Sequence, residues 1–102
     1  MRSALQQYTA ALALRFGARL RLVRLFGSWA RGQATEHSDV DVAVVIEGLT
    51  GTDWKAAHSD AAEVALSTEL SLSPLVLSGA RFDEMMRDGG IAREIDRDGI
   101  AP

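Results

Sequence analysis

The sequence has no cysteine, only two prolines, and few aromatic residues: two tryptophans, one tyrosine and three phenylalanines. Without cysteine there is no disulfide framework, no thiolate zinc site and no cysteine nucleophile, which suits a reducing compartment. Residues 1–8 lack the apolar run of a signal peptide. No segment approaches the roughly 18 consecutive apolar residues of a membrane span. We therefore expect a cytoplasmic protein that does not enter a membrane.

A large excess of one charge is also missing. Eleven basic and fourteen acidic residues give a formal net charge of −3, whereas a protein that binds a nucleic-acid backbone needs a basic face. Direct binding of nucleic acid is therefore not expected. The hydrophobic fraction of 47% and the charged fraction of 25% are those of ordinary globular domains. The length of 102 residues favours a single domain over residues 1–102.

Hydrophobic periodicity and helix-breaking residues predict the order helix, strand, short helix, strand, helix, strand, helix, helix. The predicted segments are a helix over 3–17, a strand over 19–26, a short helix from Trp29, a strand over 39–46, a helix from Thr52 or Asp53 to about Leu70, a strand over 71–77, a helix over 79–88 and a last helical turn or two from Ile91. Pro74 lacks an N–H, so the third strand should be an edge or bulged strand. The simplest packing is an α/β (or α+β) fold, with a small mixed β-sheet and helices packed on one face.

The densest chemical signal lies between residues 26 and 41. A predicted strand runs into Gly27 and Ser28, and a short helix follows. Gly27 has no Cβ, so a ligand can approach its backbone closely. Ser28 offers a hydroxyl, and the next N–H groups open the start of a helix, which is an arrangement that binds anions such as phosphate.

Two carboxylates follow at the start of the next strand. Asp39 and Asp41 are separated by one residue, and because strand side chains alternate, both point to the same face. Their mutual repulsion is relieved by a hard divalent cation such as Mg²⁺, which takes carboxylate and phosphate oxygens. An anion-binding turn beside a carboxylate pair is what metal-assisted phosphoryl or nucleotidyl transfer requires.

Each of these features is also common without any function. A Gly-Ser pair after a strand is usually an ordinary turn, and Asp-x-Asp at a strand start is usually a solvated rim. Trp29 has two interpretations, stacking on a base or anchoring the short helix. The charged residues of the last helices are typical of a solvated, mixed-charge face: Arg87, Asp88, Arg93, Glu94, Asp96, Arg97 and Asp98.

Taken together, the residues resemble a known signature. Gly27-Ser28-x-Ala30-Arg31-Gly32, followed by Ser38-Asp39-x-Asp41, is similar to the motif of the minimal nucleotidyltransferases. These belong to the superfamily that includes DNA polymerase beta and the kanamycin nucleotidyltransferases. The resemblance covers the chain from the first helix to the last. It implies a nucleotidyltransferase-like fold that consists of the minimal domain.

The resemblance also implies roles for the matching positions. Gly27 and Ser28 would hold the triphosphate of ATP, while Asp39 and Asp41 would ligate Mg²⁺ and form the catalytic carboxylate pair. A nucleophile would attack the α-phosphorus, and pyrophosphate would leave. Arg31 would brace the Gly-Ser turn or reach a phosphate.

Ser38 and Ser73 complete what the resemblance implies. Ser38 would cap the loop and orient Asp39. Members of the family usually carry a third carboxylate on the next strand, and Ser73 stands where that residue aligns. A serine hydroxyl is a poor base near pH 7, so its presence would lower the rate by roughly 10²–10⁴. The residues considered as additions to the site are His37, Glu69 and Asp83.

Short proteins of this family are often paired with a helical HEPN-domain protein as a toxin–antitoxin couple. The resemblance therefore implies an antitoxin that neutralises a HEPN partner, either by binding it or by transferring AMP to one of its tyrosines. Ser73 favours binding or weak transfer. A non-catalytic nucleotide-binding or protein-interaction module is the first alternative. A small-molecule nucleotidyltransferase, with an acceptor pocket built by a homo-oligomer, is the second.

Overall fold

The structure, a computed structural model, describes residues 2–35 and 38–102. Within them, five helices and three strands follow the predicted order. The helices are α1 (Arg2–Phe16), α2 (Gly27–Ala30), α3 (Gly51–Thr68), α4 (Gly79–Asp88) and α5 (Ile91–Asp98), and a 3₁₀ turn covers Gly17–Arg19. The strands are β1 (Leu20–Phe26), β2 (Val40–Ile46) and β3 (Leu72–Ser78). No helix in this described part of the chain is long and apolar enough to span a membrane.

Strand β2 forms the centre of the sheet because it is apolar on both faces. Its sequence is rich in β-branched residues, and every residue of it except Asp41 is buried. Such a run is typical of a strand covered on both sides. β1 pairs with it in antiparallel fashion, and β3 pairs with its other edge in parallel. β3, which contains Pro74, therefore lies at an edge of the three-stranded sheet as predicted.

The two faces of the sheet are covered by different helices. The even-numbered residues of β2 join a large apolar cluster with α1 and α3, in which Tyr8 and Leu12 are fully buried. On the other face, Val45 packs with Phe82 of α4 and Ala92 of α5. The predicted mixed sheet with packed helices is confirmed, and α4 and α5 add a second, smaller layer, so helices lie on both faces instead of one.

Polar contacts reinforce the larger layer. The hydroxyl of Tyr8 donates to the carbonyl of Ala57 at 2.8 Å, and burial raises the pKa of Tyr8 well above its usual value. Arg15 donates two hydrogen bonds, of 2.9 and 2.8 Å, to the carboxylate of Asp60. These contacts hold α1 against α3 on one side of β2.

The segment after α5 is attached to the edge of β1. Two backbone hydrogen bonds, of 2.8 and 2.9 Å, join Leu25 to Ile100 as an isolated antiparallel bridge. Ala92 and Ile95 of α5 are fully buried. Helix α5 is therefore held close to the turn that follows β1, where the candidate site lies.

Candidate functional site

The turn after β1 lies directly against Asp41 of the neighbouring strand. In the antiparallel pairing, Phe26 is opposite Asp41, and Gly27 follows with a φ of +74°. A Cβ at position 27 would overlap Oδ2 of Asp41 and lie 3.1 Å from its Cγ. The position therefore needs glycine for two reasons: its left-handed backbone conformation and the closeness of the carboxylate.

Gly27 and Ser28 begin the single-turn helix α2. The N–H of Arg31 donates to the Gly27 carbonyl at 3.1 Å, and the N–H of Gln33 donates to the Ser28 carbonyl at 2.9 Å. Phe26 occupies the N-cap position and makes no side-chain hydrogen bond to the turn. The turn is thus closed by backbone hydrogen bonds to its own carbonyls. These bonds keep the half-buried Ser28 next to the contact between Gly27 and Asp41.

The pKa of Asp41 is shifted by its surroundings. Burial raises the pKa of Asp41, the negative charge of Asp39 raises it further, and the positive charge of Arg31 lowers it. The two carboxylates are therefore within electrostatic reach of each other, and a cation between them would relieve their repulsion. An acidic pair with one carboxylate, that of Asp41, against a glycine turn fits a hard divalent cation that also binds phosphate oxygens.

Ser73 lies opposite Asp41 in the parallel pairing of β2 and β3. Directly paired residues of neighbouring strands share a face of the sheet, so position 73 is the one from which a third carboxylate would reach Asp41. Ser73 is exposed, and its hydroxyl carries no charge. Within residues 2–35 and 38–102, no group of three or more His, Cys, Asp or Glu side chains could hold a metal ion.

Of the residues considered as substitutes, the two that the structure describes, Asp83 and Glu69, do not form a three-carboxylate group with the acidic pair. Asp83 accepts hydrogen bonds from Arg21 at 3.1 and 2.7 Å, and Arg21 lies roughly 20 Å along β1 from Gly27. The hydrogen bond from Arg21 holds the pKa of Asp83 below its usual range. Glu69 is exposed at the end of α3, with a φ of 60°. His37 lies outside the described residues.

Ser38 closes the loop that leads into β2. Its hydroxyl accepts from the N–H of Thr35 at 3.0 Å, and its N–H donates to the Thr35 carbonyl at 3.0 Å. The indole N–H of Trp29 donates to the Ser38 carbonyl at 3.2 Å, while the ring packs against the main apolar cluster. These contacts favour an anchoring role for Trp29 over stacking on a base.

Helix α5 contributes two carboxylates that the sequence interpretation assigned to a solvated face. A cavity of about 90 Å³ lies beside the turn and is lined by Phe26, Gly27, Ala30, Arg31, Glu94 and Asp98. Nη1 of Arg31 lies 3.6 Å from Oε1 of Glu94. The four-residue spacing of Glu94 and Asp98 puts both on one face of a helix, and this spacing is the sign in the sequence that they share a location.

A glycine–serine turn packed against Asp41 on the central strand of a mixed sheet is the arrangement that the sequence resemblance implies for a nucleotidyltransferase-like domain. Residues 10–85 match the family described as nucleotidyltransferase domain. The match covers more than half of the chain and includes both parts of the motif and Ser73. The chain therefore belongs to the nucleotidyltransferase domain family.

The chain is similar to an archaeal protein and to two solved structures. A segment of 42 residues is 40% identical to a protein of Methanocaldococcus jannaschii named as a candidate protein adenylyltransferase, and it covers 41% of this chain and 42% of that protein. The match thus spans less than half the length of the curated relative.

Two solved structures are each 19% identical to the chain. One is a candidate nucleotidyltransferase from Sulfolobus solfataricus. The alignment with it covers 97% of this chain and 85% of that chain, with a TM-score of 0.49. The other is a structure of a toxin–antitoxin with AMP-PNP. The alignment with it covers 92% of this chain and 68% of that chain, with a TM-score of 0.54. At this identity, the second likeness bears on the fold.

Proposed function

We propose that the chain binds ATP and Mg²⁺ beside the Gly27 turn and acts as the antitoxin of a HEPN-domain toxin. Neutralisation would come from complex formation, with transfer of AMP to a tyrosine of the partner as a weak accompanying activity. The proposal is supported by membership of the nucleotidyltransferase domain family. The name of the archaeal relative and the toxin–antitoxin neighbour support it further.

The observation that carries the nucleotide-binding part is the contact between the Gly27 turn and the carboxylate of Asp41. A phosphate bound on the turn and a cation bound on Asp39 and Asp41 would touch each other. The raised pKa of Asp41, caused by burial and by the charge of Asp39, means that this pair gains from a cation. A metal-bound triphosphate satisfies both requirements at once.

Each residue would then have a distinct task. Gly27 and Ser28 would bind phosphate oxygens, and Arg31 would add positive charge at the end of the same turn. Asp39 and Asp41 would hold the cation. When bound, Mg²⁺ supplies charge neutralisation at the phosphates and at the departing pyrophosphate.

Ser73 is the reason for expecting weak transfer. It pairs with Asp41, at the place where a third carboxylate would bind metal or take the proton of the attacking nucleophile. An uncharged hydroxyl does neither well near pH 7. General acid–base catalysis typically raises a reaction rate by about 10²–10⁴-fold, and Ser73 would not supply that gain. The presence of Ser73 therefore also favours a second candidate function, a nucleotide-binding module that acts without transfer.

Thermal unfolding with Mg²⁺ and ATP tests the binding site. We expect the wild-type Tm to rise with Mg²⁺ and ATP together, because a ligand that binds only the folded state stabilises it. The double variant Asp39→Asn with Asp41→Asn should keep its circular dichroism spectrum and lose the response. A wild-type protein that does not respond would contradict the nucleotide proposal.

The partner assignment needs a separate experiment. The purified chain is mixed with a HEPN-domain protein encoded beside it and with ATP labelled in the α-phosphate. We expect a stable complex on size-exclusion chromatography and little label on the partner. Strong labelling would make transfer the main activity. Absence of any complex and of any label would contradict the antitoxin proposal.

Restoring the third carboxylate gives a prediction specific to this chain. Ser73→Asp should tighten Mg²⁺-dependent ATP binding and raise label transfer to the partner by ~10-fold or more, up to the 10²–10⁴ range of acid–base catalysis. Because Ser73 is exposed, the change should not disturb the core. Ser59→Asp, which adds the same charge on the exposed side of α3, is the matched control. Equal behaviour of the two variants would show that position 73 is not part of the site.

A further inference from the structure

We propose that Glu94 is a positioning residue that holds Arg31 against α5 and so sets how readily Arg31 engages a phosphate on the Gly27 turn. The inference rests on the proposed function, because it concerns phosphate at that same site. It extends the site to a helix that the nucleotidyltransferase motif does not include. The ion pair and the cavity between α2 and α5 carry it.

The position of Glu94 is set by the packing of α5. Ile95, its neighbour, is fully buried, and a Cβ at Gly99 would lie 3.2 Å from Cβ of Arg24 on β1. The backbone bonds between Leu25 and Ile100 hold the end of the helix to the sheet. Glu94 therefore faces the turn from a helix that is packed against the sheet.

The backbone of Arg31 is hydrogen-bonded to the turn, and its side chain contacts both Gln33 and Glu94. Its N–H is bonded to the Gly27 carbonyl, which ties the residue to the turn. Its Nε donates to Oε1 of Gln33 at 3.1 Å, and its Nη1 lies 3.6 Å from Oε1 of Glu94. The guanidinium thus spans from the loop to α5, beside the cavity of about 90 Å³.

The pair with Glu94 is suited to exchange. Its N–O separation of 3.6 Å is long for a hydrogen bond, and the two side chains are 51% and 44% exposed. Such pairs contribute little to folding. A guanidinium forms stronger, paired hydrogen bonds with phosphate, so a triphosphate on the turn would draw Arg31 away from Glu94.

This arrangement makes Glu94 a competitor of the nucleotide for Arg31. The charge of Arg31 already reaches the site, since it lowers the pKa of Asp41 against the effects of burial and Asp39. Removing the charge of Glu94 leaves Arg31 free to turn toward phosphate. The apparent affinity for a triphosphate should therefore increase when Glu94 is neutral.

The test measures the Kd of Mg²⁺-ATP by calorimetry in about 0.15 M salt for wild type, Glu94→Gln and Asp96→Asn. We expect Glu94→Gln to bind about 1.5–5-fold more tightly, the range of an exposed charge pair. Asp96→Asn removes the same charge from an exposed position on the same helix and should match wild type. In the Arg31→Gln background, the gain from Glu94→Gln should disappear.

The outcomes separate the two proposals. If wild type does not bind Mg²⁺-ATP, the proposed function fails, and the role of Glu94 fails with it. If wild type binds and Glu94→Gln equals Asp96→Asn, only the role of Glu94 is overturned. If the gain persists without Arg31, Glu94 repels the nucleotide directly, and the positioning role is again overturned.

Discussion

At the scale of single residues, Gly27 joins the backbone geometry of the fold to the chemistry of the site. Its φ of +74° and the nearby Asp41 carboxylate both exclude a Cβ. Gly32, a few residues later, has a similar φ of +70°, yet a Cβ there would meet no atom within 4 Å. Substitution of Gly32 therefore tests backbone strain alone, whereas substitution of Gly27 tests backbone strain together with crowding against Asp41.

This contrast gives a residue-scale prediction. Gly32→Ala should lower the free energy of unfolding by about 1–2 kcal/mol, the cost of a left-handed conformation for a residue with a Cβ. Gly27→Ala should cost a further 1–3 kcal/mol or so, because overpacking adds to the strain, and it alone should abolish stabilisation by Mg²⁺ and ATP. Urea unfolding with and without ligand measures both effects. Equal losses in the two variants would mean that Asp41 moves aside freely.

Residue-scale reasoning from the sequence predicts one part of the candidate site and does not point to another. Gly27, Ser28, Asp39 and Asp41 stand out because they occur together within a short stretch of the chain, and the structure places Gly27 against Asp41. Glu94 could not be found in this way, since its partner is far away in the sequence. Only the docking of α5 beside the turn brings it to Arg31.

At the scale of elements, the start of α3 shows how a local motif decides a boundary. The sequence favoured Thr52 or Asp53 as the cap, but Thr50 is the N-cap residue. The Thr50 hydroxyl accepts from the N–H of Asp53 at 3.1 Å, and Asp53 accepts from the N–H of Thr50 at 3.0 Å. This reciprocal pair is a capping box, so Asp53 supports the cap from within the first turn.

The capping box predicts a pH dependence. The hydrogen bond from Arg19, followed by that from the Thr50 backbone, lowers the pKa of Asp53. A lowered pKa in the folded state stabilises the protein above the ordinary aspartate pKa of about 3.9, and this stabilisation is lost as the pH falls through the folded value. Asp53→Asn should therefore be less stable than wild type at pH 7, and the difference should shrink below about pH 4.

Chemical unfolding across pH 3–7 measures this difference. Thr52→Ala, an exposed neighbour in the same helix without an ionisable group, is the control, and its offset from wild type should not depend on pH. A constant difference for Asp53→Asn down to pH 3 would mean that its carboxylate does not carry the stabilisation.

At the scale of the whole molecule, the sheet is enclosed between two helical layers of unequal size. The larger layer, of α1 and α3, buries most of the apolar side chains, whereas α4 and α5 bury a smaller set around Val45 and Phe82. The site lies on the smaller side, since Asp41 has the same parity along β2 as Val45. The candidate site and most of the buried apolar side chains therefore lie on different faces of the sheet.

Two leucines of α1 test this division. Leu12 is fully buried, and Leu14 is 90% exposed. Leu12→Ala should lower the free energy of unfolding by about 2–5 kcal/mol through lost burial and a cavity, while Leu14→Ala should change it by no more than about 0.5 kcal/mol. Neither should alter ATP binding by the molecules that remain folded. Similar losses in both variants would contradict the placement of α1.

The sequence by itself determined the order of elements, the edge position of the third strand and the glycine–serine and acidic parts of the motif, because these depend on local periodicity, on the missing N–H of Pro74 and on residues close together in the chain. Tertiary structure alone decided that helices cover both faces, that Ser73 pairs with Asp41 and that Glu94 meets Arg31. These depend on strand register and on helix docking, which follow from the packing of distant side chains and leave no local pattern.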